Sequence, residues 1–267
     1  MTGFQGVVFD VDGTLVRGET AIPGAAETVG ALRDAGVRVA FVTNNPTRTP
    51  ESYVGKLRAA DIDATADEVV TSGTSTVAFL EAEHPGDAAF VVGEQGLASQ
   101  LANADLDVVD DPTAADGVVA SIDREFTYDR LTRALRAFDA GVDWFVGSDP
   151  DRTIPTDEGL VPGSGAIVEA VAAVGEREPD AVLGKPHSFT QRLVFDRLGC
   201  DPSDALVVGD RLDTDVAFGA DAGATTALVE TGIATRADAA ASKVAPDHVL
   251  ADVTGVLDLG SGVLDAE

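Results

Sequence analysis

Two aspartates at the end of a short apolar segment constrain the fold of this chain more than any other feature of the sequence. Residues 7–11 are almost entirely apolar, which is typical of a buried β-strand, and Gly13 follows as a turn residue. Asp10 and Asp12 therefore lie where a buried strand ends. Two carboxylates are costly to bury side by side unless a positive charge lies between them. A divalent cation with oxygen ligands supplies such a charge, and Mg²⁺ is the commonest one in phosphate chemistry.

A second strand with a polar end follows one βαβ unit later. Residues 37–42 are mainly apolar and lead directly into Thr43, Asn44 and Asn45, whose side chains all form hydrogen bonds. Thr43 lies 33 positions after Asp10, about the length of a βαβ unit, so the two strands are predicted to be parallel. Their polar ends then meet at one edge of the sheet, where open parallel sheets bind ligands.

Two later segments repeat this pattern of an apolar strand with a charged end. Residues 181–183 precede Gly-Lys-Pro, which contains Lys185, and residues 205–208 precede a loop that contains Asp210 and Asp215. Any one of these ends alone is more typical of a turn or a helix cap. Four such ends on the same edge of a parallel sheet together predict an active site.

The pattern of strands and helices restarts near residue 84, which indicates a second α/β module. We expect residues 82–178 to form a module inserted into a core built from residues 1–81 and 179–267. Within it the sequence predicts helices over residues 95–104 and 128–140 and a long polar loop over residues 147–165. After residue 253 it predicts a final helix, up to about residue 259.

The composition is strongly acidic. The chain has 46 Asp and Glu residues against 18 Lys and Arg, a formal charge of −28, and its only lysines are Lys56, Lys185 and Lys243. Acidic residues spread along the whole chain, together with scarce lysine, favour a protein adapted to a cytoplasm of high salt, where charge repulsion is screened. An ordinary acidic protein is the alternative. Nucleic acid and anionic membranes are poor partners for either.

Cysteine content and hydropathy limit the other classes. Cys200 is the only cysteine, so the sequence offers no intramolecular disulfide and no thiolate metal cluster. No apolar stretch approaches the roughly 20 residues that span a bilayer, and the first residues lack the charged-then-apolar pattern of a secretion signal. We therefore expect a cytoplasmic location.

The four motifs together resemble those of the haloacid dehalogenase superfamily. They read Asp-Val-Asp-Gly-Thr-Leu, Thr-Asn-Asn, Gly-Lys-Pro and Gly-Asp-Arg-Leu-Asp-Thr-Asp, and they extend over nearly the whole chain. The sequence is most similar to the NagD-like branch, which includes p-nitrophenylphosphatases, phosphoglycolate phosphatases and pyridoxal phosphatases. The resemblance implies a Rossmann-like parallel-sheet core with a large α/β cap inserted after the second motif. The short segment after Asp10 cannot house a cap, which argues against the sugar-phosphate mutases of the superfamily.

The resemblance implies a Mg²⁺-dependent phosphatase in which Asp10 is the nucleophile and forms an aspartyl-phosphate. Asp12 would act as general acid and then general base, and only its main-chain carbonyl would contact the ion. Asp10 and Asp210 would supply the carboxylate ligands, and Asp215 would support the metal's water shell. Asp213 is expected only to cap a helix N-terminus.

Binding of the phosphoryl group is expected from Lys185, the Thr43 hydroxyl and the main-chain N–H groups near Asn44 and Asn45. Because the protein is acidic, these groups and nearby arginines must create a local positive pocket for the anionic substrate. The expected arginines are Arg48, Arg152 and Arg211.

Substrate choice is expected to lie in the cap, with residues 148–156 as its lining or merely as a link between two cap elements. Ile154 stands where some pyridoxal phosphatases of the branch have histidine, which weakens that assignment. Sugar phosphate, phosphoglycolate, glycerol phosphate and nucleotide stay open as substrates. A homodimer formed through the cap is common in the branch and is an open expectation.

Other functional classes fit the sequence less well. The chain has no P-loop motif, and residues 163–165 lack the spacing of a dinucleotide fingerprint. A dehalogenase would not need the Gly-Asp of the fourth motif, and an ion-pumping ATPase would need membrane spans. A catalytically weak or silent metabolite-binding or regulatory protein with the same fold remains the alternative. Such a protein would have no need to keep Asp10, Asp12, Lys185 and Asp210.

Overall fold

The computed structural model describes residues 3–104, 106–156 and 159–259. Its strands are β1 (Gly6–Asp10), β2 (Val16–Arg17), β3 (Thr20–Ala21), β4 (Arg38–Thr43), β5 (Val69–Thr71), β6 (Ala88–Val92), β7 (Asp107–Val108), β8 (Gly117–Ala120), β9 (Trp144–Gly147), β10 (Thr153–Thr156), β11 (Gly159–Pro162), β12 (Ala181–Val182), β13 (Ala205–Gly209), β14 (Thr225–Val229) and β15 (His248–Leu250). Its α-helices are α1 (Ala25–Asp34), α2 (Pro50–Ala59), α3 (Ser72–Glu83), α4 (Gln95–Asn103), α5 (Tyr128–Ala140), α6 (Ser164–Gly175), α7 (Ser188–Leu198), α8 (Ala217–Ala222) and α9 (Arg236–Ala241).

The chain forms two compact units. The first contains the described residues up to Thr43, Pro50–Val70 and the described residues from Lys185 onwards. The second contains the described residues of Asn44–Thr49 and Thr71–Gly184. These bounds are wider than residues 82–178, the extent that the sequence predicts for the inserted module.

A six-stranded sheet forms the centre of the first unit, in the order β15-β14-β13-β1-β4-β5. From β15 to β4 every neighbouring pair is parallel. Because β1 is central, all five of its residues are buried and its side chains alternate between two apolar clusters. Val7 and Phe9 pack in the cluster that includes α1 and α2, and Val8 packs in the cluster that includes α7 and α8. Helices thus cover both faces, as is typical of a parallel α/β sheet, and the predicted fold class is confirmed.

The register of this sheet brings three polar strand ends to one edge. Phe9 pairs with Val208 in β13 and with Phe41 in β4, so β1, β13 and β4 end at nearly the same level. Asp10 is the last residue of β1, Thr43 is the last of β4, and Asp210 follows directly after β13. The sheet therefore presents Asp10 between the two other polar strand ends.

The second unit has a five-stranded sheet of its own, in the order β12-β9-β8-β6-β7. All its neighbouring strands are parallel. Phe90, Val118 and Phe145 on three of these strands pack with apolar residues of α5 and α6. This unit is itself an α/β layer, as the restart of the sequence pattern near residue 84 predicts.

The structure corrects three predictions about local elements. Ala181 and Val182 pair with β9 of the second unit, so Lys185 does not follow a strand of the six-stranded sheet. Residues 147–165 are not one loop, because β10 and β11 pair there as an antiparallel hairpin. The last predicted helix is a 3₁₀ helix at Val253–Asp258.

Each of these errors has a physical reason. Two paired residues carry too little pattern to identify their sheet, and proline within both hairpin strands hides their alternation. Gly255 weakens an α-helix in the short terminal segment. Among the described residues, no helix is long and apolar enough to cross a bilayer.

Candidate active site

Asp10 is the centre of a buried polar cluster in the first unit. Its Oδ1 accepts a 2.6 Å hydrogen bond from Lys185 Nζ, and its Oδ2 accepts one of 3.2 Å from Thr14 Oγ1. The residue is only 8% exposed, because it is the last residue of β1, a central strand of the sheet. Burial raises the pKa of the Asp10 carboxyl well above its usual value, and the Lys185 ammonium opposes that shift.

Lys185 connects two of the clustered carboxylates. Its Nζ lies 2.6 Å from Asp10 Oδ1, 2.6 Å from Asp215 Oδ1 and 3.1 Å from the Val42 carbonyl oxygen. The ammonium donates hydrogen bonds to Asp10 and to the Val42 carbonyl, and its contact with Asp215 is an ion pair. Burial alone would lower the pKa of Lys185, but the two carboxylates hold it above its usual value. Lys185 is therefore a fixed positive charge within the site.

The loop after β13 holds Asp210 and Asp215 through main-chain hydrogen bonds. Asp215 Oδ2 accepts from the N–H groups of Asp210 and Arg211, at 3.1 and 3.0 Å, across a π-helical turn at Leu212–Val216. Asp210 Oδ2 accepts from the N–H of Ile233 at 2.8 Å. Burial, followed by the Asp215 carboxylate, raises the pKa of Asp210 to about 7.

Two glycines allow the backbone to approach Asp210 closely. Gly13 has a φ of 101°, and a Cβ there would lie 2.5 Å from Asp210 Oδ2. A Cβ on Gly232 would also collide with the Asp210 carboxylate. Any larger residue at either position would displace that carboxylate, so the Gly13 of the first motif has a steric role.

The carboxylates of Asp10, Asp210 and Asp215 form a set of oxygen ligands that suits a hard divalent cation. One oxygen from each lies within 4.8 Å of the others. The Lys185 ammonium cannot balance three carboxylate charges by itself. Burial first, and then the neighbouring carboxylates, raise the pKa values of Asp10 and Asp210. Carboxylate oxygens are the ligands that Mg²⁺ prefers, so the residues present fit this ion.

The Asp12 side chain lies outside this set of ligands. Its Oδ1 accepts a 2.6 Å hydrogen bond from Lys56 Nζ, and its Oδ2 accepts one of 3.0 Å from the Tyr53 hydroxyl. Both partners belong to α2, and the sequence interpretation missed them. The available signal was that Lys56 is one of only three lysines and lies three positions after Tyr53, on the same helix face.

The residues of the second motif divide between the two units. Thr43 is buried in the first, with its Oγ1 3.3 Å from the Tyr53 hydroxyl. In the second unit, Asn44 Nδ2 donates to Asp151 Oδ1 at 3.2 Å. Asn45 Oδ1 accepts from the N–H groups of Thr47 and Arg48, at 3.0 and 3.1 Å. The Asn45 side chain thus stabilises its own turn, whereas the Asn44 side chain links its segment to Asp151 of the same unit.

Two of the expected arginines pair with acids. Arg152 Nε donates to Glu169 Oε1 at 2.6 Å, and Arg211 Nε lies 3.4 Å from Asp213 Oδ1. The expectation that Asp213 caps a helix N-terminus is wrong. Arg211 occupies the N-cap position, and the π-helical turn begins at the next residue.

Comparisons with known proteins show similarity to one family of hydrolases along nearly the whole chain. The model of a family described as haloacid dehalogenase-like hydrolase matches residues 7–107, and a second HAD-hydrolase-like model matches residues 182–256. The chain is 34% identical over 253 residues to acid sugar phosphatases of Staphylococcus epidermidis and Staphylococcus aureus, covering 95% of this chain and 96% of each relative.

Solved structures show the same similarity. The p-nitrophenyl phosphatase from Archaeoglobus fulgidus has a TM-score of 0.89 and 34% identity, with 96% of this chain and 98% of that chain covered. NagD from Escherichia coli K-12 has a TM-score of 0.84 and 27% identity, with 95% of this chain and 98% of that chain covered. The shared fold therefore extends over both units of the chain.

Proposed function

The chain belongs to the haloacid dehalogenase-like hydrolases, and from this premise we propose that it is a Mg²⁺-dependent phosphatase of small phosphate monoesters, with Asp10 as nucleophile. The relatives named acid sugar phosphatase and p-nitrophenyl phosphatase support the reaction class, a hydrolase of phosphate monoesters. The ion, the covalent intermediate and the residue roles below belong to the proposal.

One observation carries the assignment. Lys185 Nζ lies 2.6 Å from both Asp10 and Asp215, and the Asp10, Asp210 and Asp215 carboxylates cluster with it at the edge of a parallel sheet. This edge is where α/β sheets bind ligands. A nucleophilic carboxylate can meet a phosphate dianion only where positive charge offsets their repulsion. Lys185 and a cation held by the three carboxylates would supply that charge.

The proposed reaction has two steps. In the first, an Asp10 carboxylate oxygen attacks phosphorus in line, the bond to the alcohol oxygen breaks, and the Asp12 carboxyl gives its proton to that oxygen. In the second, Asp12 takes a proton from a water molecule as this water attacks the phosphorus of the aspartyl-phosphate. Inorganic phosphate leaves, the Asp10 carboxylate is restored, and Asp12 again holds a proton.

The other residues of the proposed site would bind the metal ion and the phosphoryl group. Asp10, the Asp12 main-chain carbonyl and Asp210 would hold the Mg²⁺, with Asp215 supporting it, and the bound ion would supply positive charge that brings nucleophile and phosphate together. Lys185 and the Thr43 hydroxyl would orient the phosphoryl oxygens. The main-chain N–H groups of Asn44 and Asn45, next along the chain after Thr43, are the further donors in the proposal.

Substrate and setting are proposed only as classes. The relatives' names support a small phosphorylated metabolite such as a sugar phosphate, and the strongly acidic composition argues against nucleic acid and anionic membranes as partners. We place the protein in the cytoplasm. Residues 148–156, which include strand β10, are the segment proposed to set substrate choice. A homodimer through the second unit is open to test by light scattering.

The decisive experiment is hydrolysis of p-nitrophenyl phosphate with and without MgCl₂, comparing wild type with Asp10→Asn. We expect metal-dependent turnover in wild type and a loss of at least about a thousandfold in the variant, because the amide is not a nucleophile. Asp196→Asn, an exposed acid on α7, is the matched control and should retain activity. Metal-dependent turnover that survives Asp10→Asn would exclude the assigned nucleophile. An inactive wild type that still binds phosphorylated metabolites would favour the silent binding protein.

A further inference from the structure

Two side chains of α2 engage both oxygens of the Asp12 carboxylate. Lys56 Nζ donates to Oδ1 at 2.6 Å, and the Tyr53 hydroxyl donates to Oδ2 at 3.0 Å. A carboxylate that accepts at both oxygens has its side-chain torsions fixed. All three residues belong to the first unit, so this contact is part of one compact body.

The Lys56 side chain is buried more deeply than that of Asp12. The Lys56 side chain is only 8% exposed, whereas that of Asp12 is 45% exposed. Exposed ion pairs usually contribute little to stability, but a buried ammonium needs a close anionic partner. Lysine is also scarce in this chain, and two of the three present, Lys56 and Lys185, contact aspartates of the first motif. Lys56 thus provides a fixed positive charge directed at an accessible carboxylate.

Tyr53 connects Asp12 to the second motif. Its hydroxyl lies 3.0 Å from Asp12 Oδ2 and 3.3 Å from Thr43 Oγ1, and the residue is 1% exposed. A phenol has one hydrogen, and this hydrogen is donated to the carboxylate. The Tyr53 hydroxyl thus lies between Asp12 and Thr43, in contact with both side chains.

We propose that Lys56 and Tyr53 are positioning residues that fix the Asp12 carboxyl for its two proton transfers. When Asp12 gives its proton to the leaving oxygen it becomes a carboxylate, the form to which both groups donate. The same contacts orient that carboxylate to take a proton from the attacking water. The proposal rests on the proposed function, because it assumes the role of Asp12 in the phosphatase reaction.

The test compares two substrates that differ in their need for a proton donor. Nitrophenolate leaves readily without protonation, whereas the alkoxide of glycerol phosphate requires it. Lys56→Met and Tyr53→Phe should therefore lower kcat/KM for glycerol phosphate about tenfold more than for p-nitrophenyl phosphate, a part of the ~100- to 10,000-fold that a general acid contributes. kcat/KM reports the steps up to formation of the aspartyl-phosphate, where the leaving group departs.

The chain supplies matched controls for both substitutions. Lys243→Met removes the third lysine, which is exposed, and Tyr128→Phe alters the only other tyrosine, which is 87% exposed. Both should leave the two kcat/KM values and their ratio unchanged. Lys56→Arg keeps the charge and should recover most of the activity on glycerol phosphate.

A double variant separates positioning from a merely structural role. In an Asp12→Asn background, Lys56→Met should cause no further loss on either substrate, because Lys56 would act only through Asp12. Equal losses on both substrates, or additive losses in the double variant, would overturn the positioning role. Failure of the proposed function gives a different result, a wild type that hydrolyses neither substrate.

Discussion

Lys185 Nζ donates a 2.6 Å hydrogen bond to Asp10 Oδ1, although 175 positions of sequence separate the two residues. Both are buried, and the ammonium also reaches Asp215. The contact exists because β1 and the segment from Lys185 onwards belong to the same compact unit. This lysine neutralises part of the charge of a cluster of three buried carboxylates.

Replacing Lys185 with methionine should destabilise the metal-free protein as well as abolish activity. The substitution leaves Asp10 and Asp215 buried without their cation, and breaking a buried pair in this way costs about 3 kcal/mol or more. Urea denaturation at fixed KCl would measure the loss in the free energy of unfolding. Lys243→Met should change it by less than about 0.5 kcal/mol. A Lys185→Met protein as stable as wild type would show that the cluster does not need the ammonium.

Magnesium should bind more tightly as the pH rises from 6 to 8. The pKa of Asp210 is raised to about 7, first by burial and then by Asp215, so below pH 7 its proton competes with the metal. The apparent affinity should fall by about tenfold per pH unit below 7, if one proton is released. Isothermal titration of Mg²⁺ at pH 6, 7 and 8 would measure it.

The stability of the metal-free protein should instead fall as the pH rises. Because the folded-state pKa of Asp210 lies above its unfolded value, the group's contribution to stability is largest at low pH and is lost as the pH rises through about 7. Thermal unfolding in EDTA should therefore occur at a lower temperature at pH 8 than at pH 6. Asp210→Asn should reduce this difference. A Mg²⁺ affinity that is the same at all three pH values would contradict the titration of Asp210.

Asp149→Asn should stabilise the second unit, and more so at higher pH. Asp149 is buried, and burial, followed by the Asp151 carboxylate, raises its pKa to about 8. Ser148 Oγ lies 2.9 Å from Asp149 Oδ2 and 2.8 Å from Ser121 Oγ. Since the serine has one hydrogen, a protonated Asp149 satisfies this arrangement by donating to Ser148, which then donates to Ser121.

The raised pKa of Asp149 determines the direction in which stability changes with pH. Between about pH 4 and 8 the folded state keeps a proton that the unfolded state releases, so this group's contribution to stability falls as the pH rises. The asparagine amide replaces the O–H donor without titrating. The stability advantage of the variant should grow by about 1.4 kcal/mol per pH unit at most. Urea denaturation of both proteins at pH 5.5 and 7.5 would measure it, and a pH-independent difference would contradict a protonated Asp149.

Activity and stability should both rise as KCl is increased toward molar concentration. The formal charge of −28 repels an anionic substrate and destabilises the compact state, and the screening length falls from about 10 Å at 0.1 M salt to about 3 Å at 1 M. Initial rates and melting temperatures across a KCl series would measure both effects. Choline chloride at equal concentration is the control for a specific effect of potassium. Equal activity and stability in dilute buffer would remove the high-salt interpretation.

The sequence predicted the parts of the site that lie at strand ends. Asp10, Thr43 and Asp210 each follow an apolar stretch whose strand character is local, and the βαβ spacing made those strands parallel. Parallel neighbours in register place their carboxyl ends together, so the common edge could be predicted from short-range pattern alone. The same reasoning gave the two α/β layers.

The helix that approaches Asp12 could not be predicted in the same way. The sequence shows that Tyr53 and Lys56 share a face of α2, but nothing in their spacing says which strand end that face approaches. The hairpin of β10 and β11 was missed for a related reason, because prolines obscure its alternation and only the pairing between its strands defines it.

The sequence by itself determined which strand ends are polar and which three residues of the candidate site lie there, because apolar periodicity and turn residues act over a few positions. Only the tertiary structure decided that the short strand before Lys185 joins the sheet of the second unit, and that the Lys185 ammonium nevertheless contacts Asp10. It also decided that Lys56 and Tyr53 donate hydrogen bonds to Asp12. These contacts join residues far apart in the chain, and their geometry depends on how whole helices and sheets pack, which no local pattern specifies.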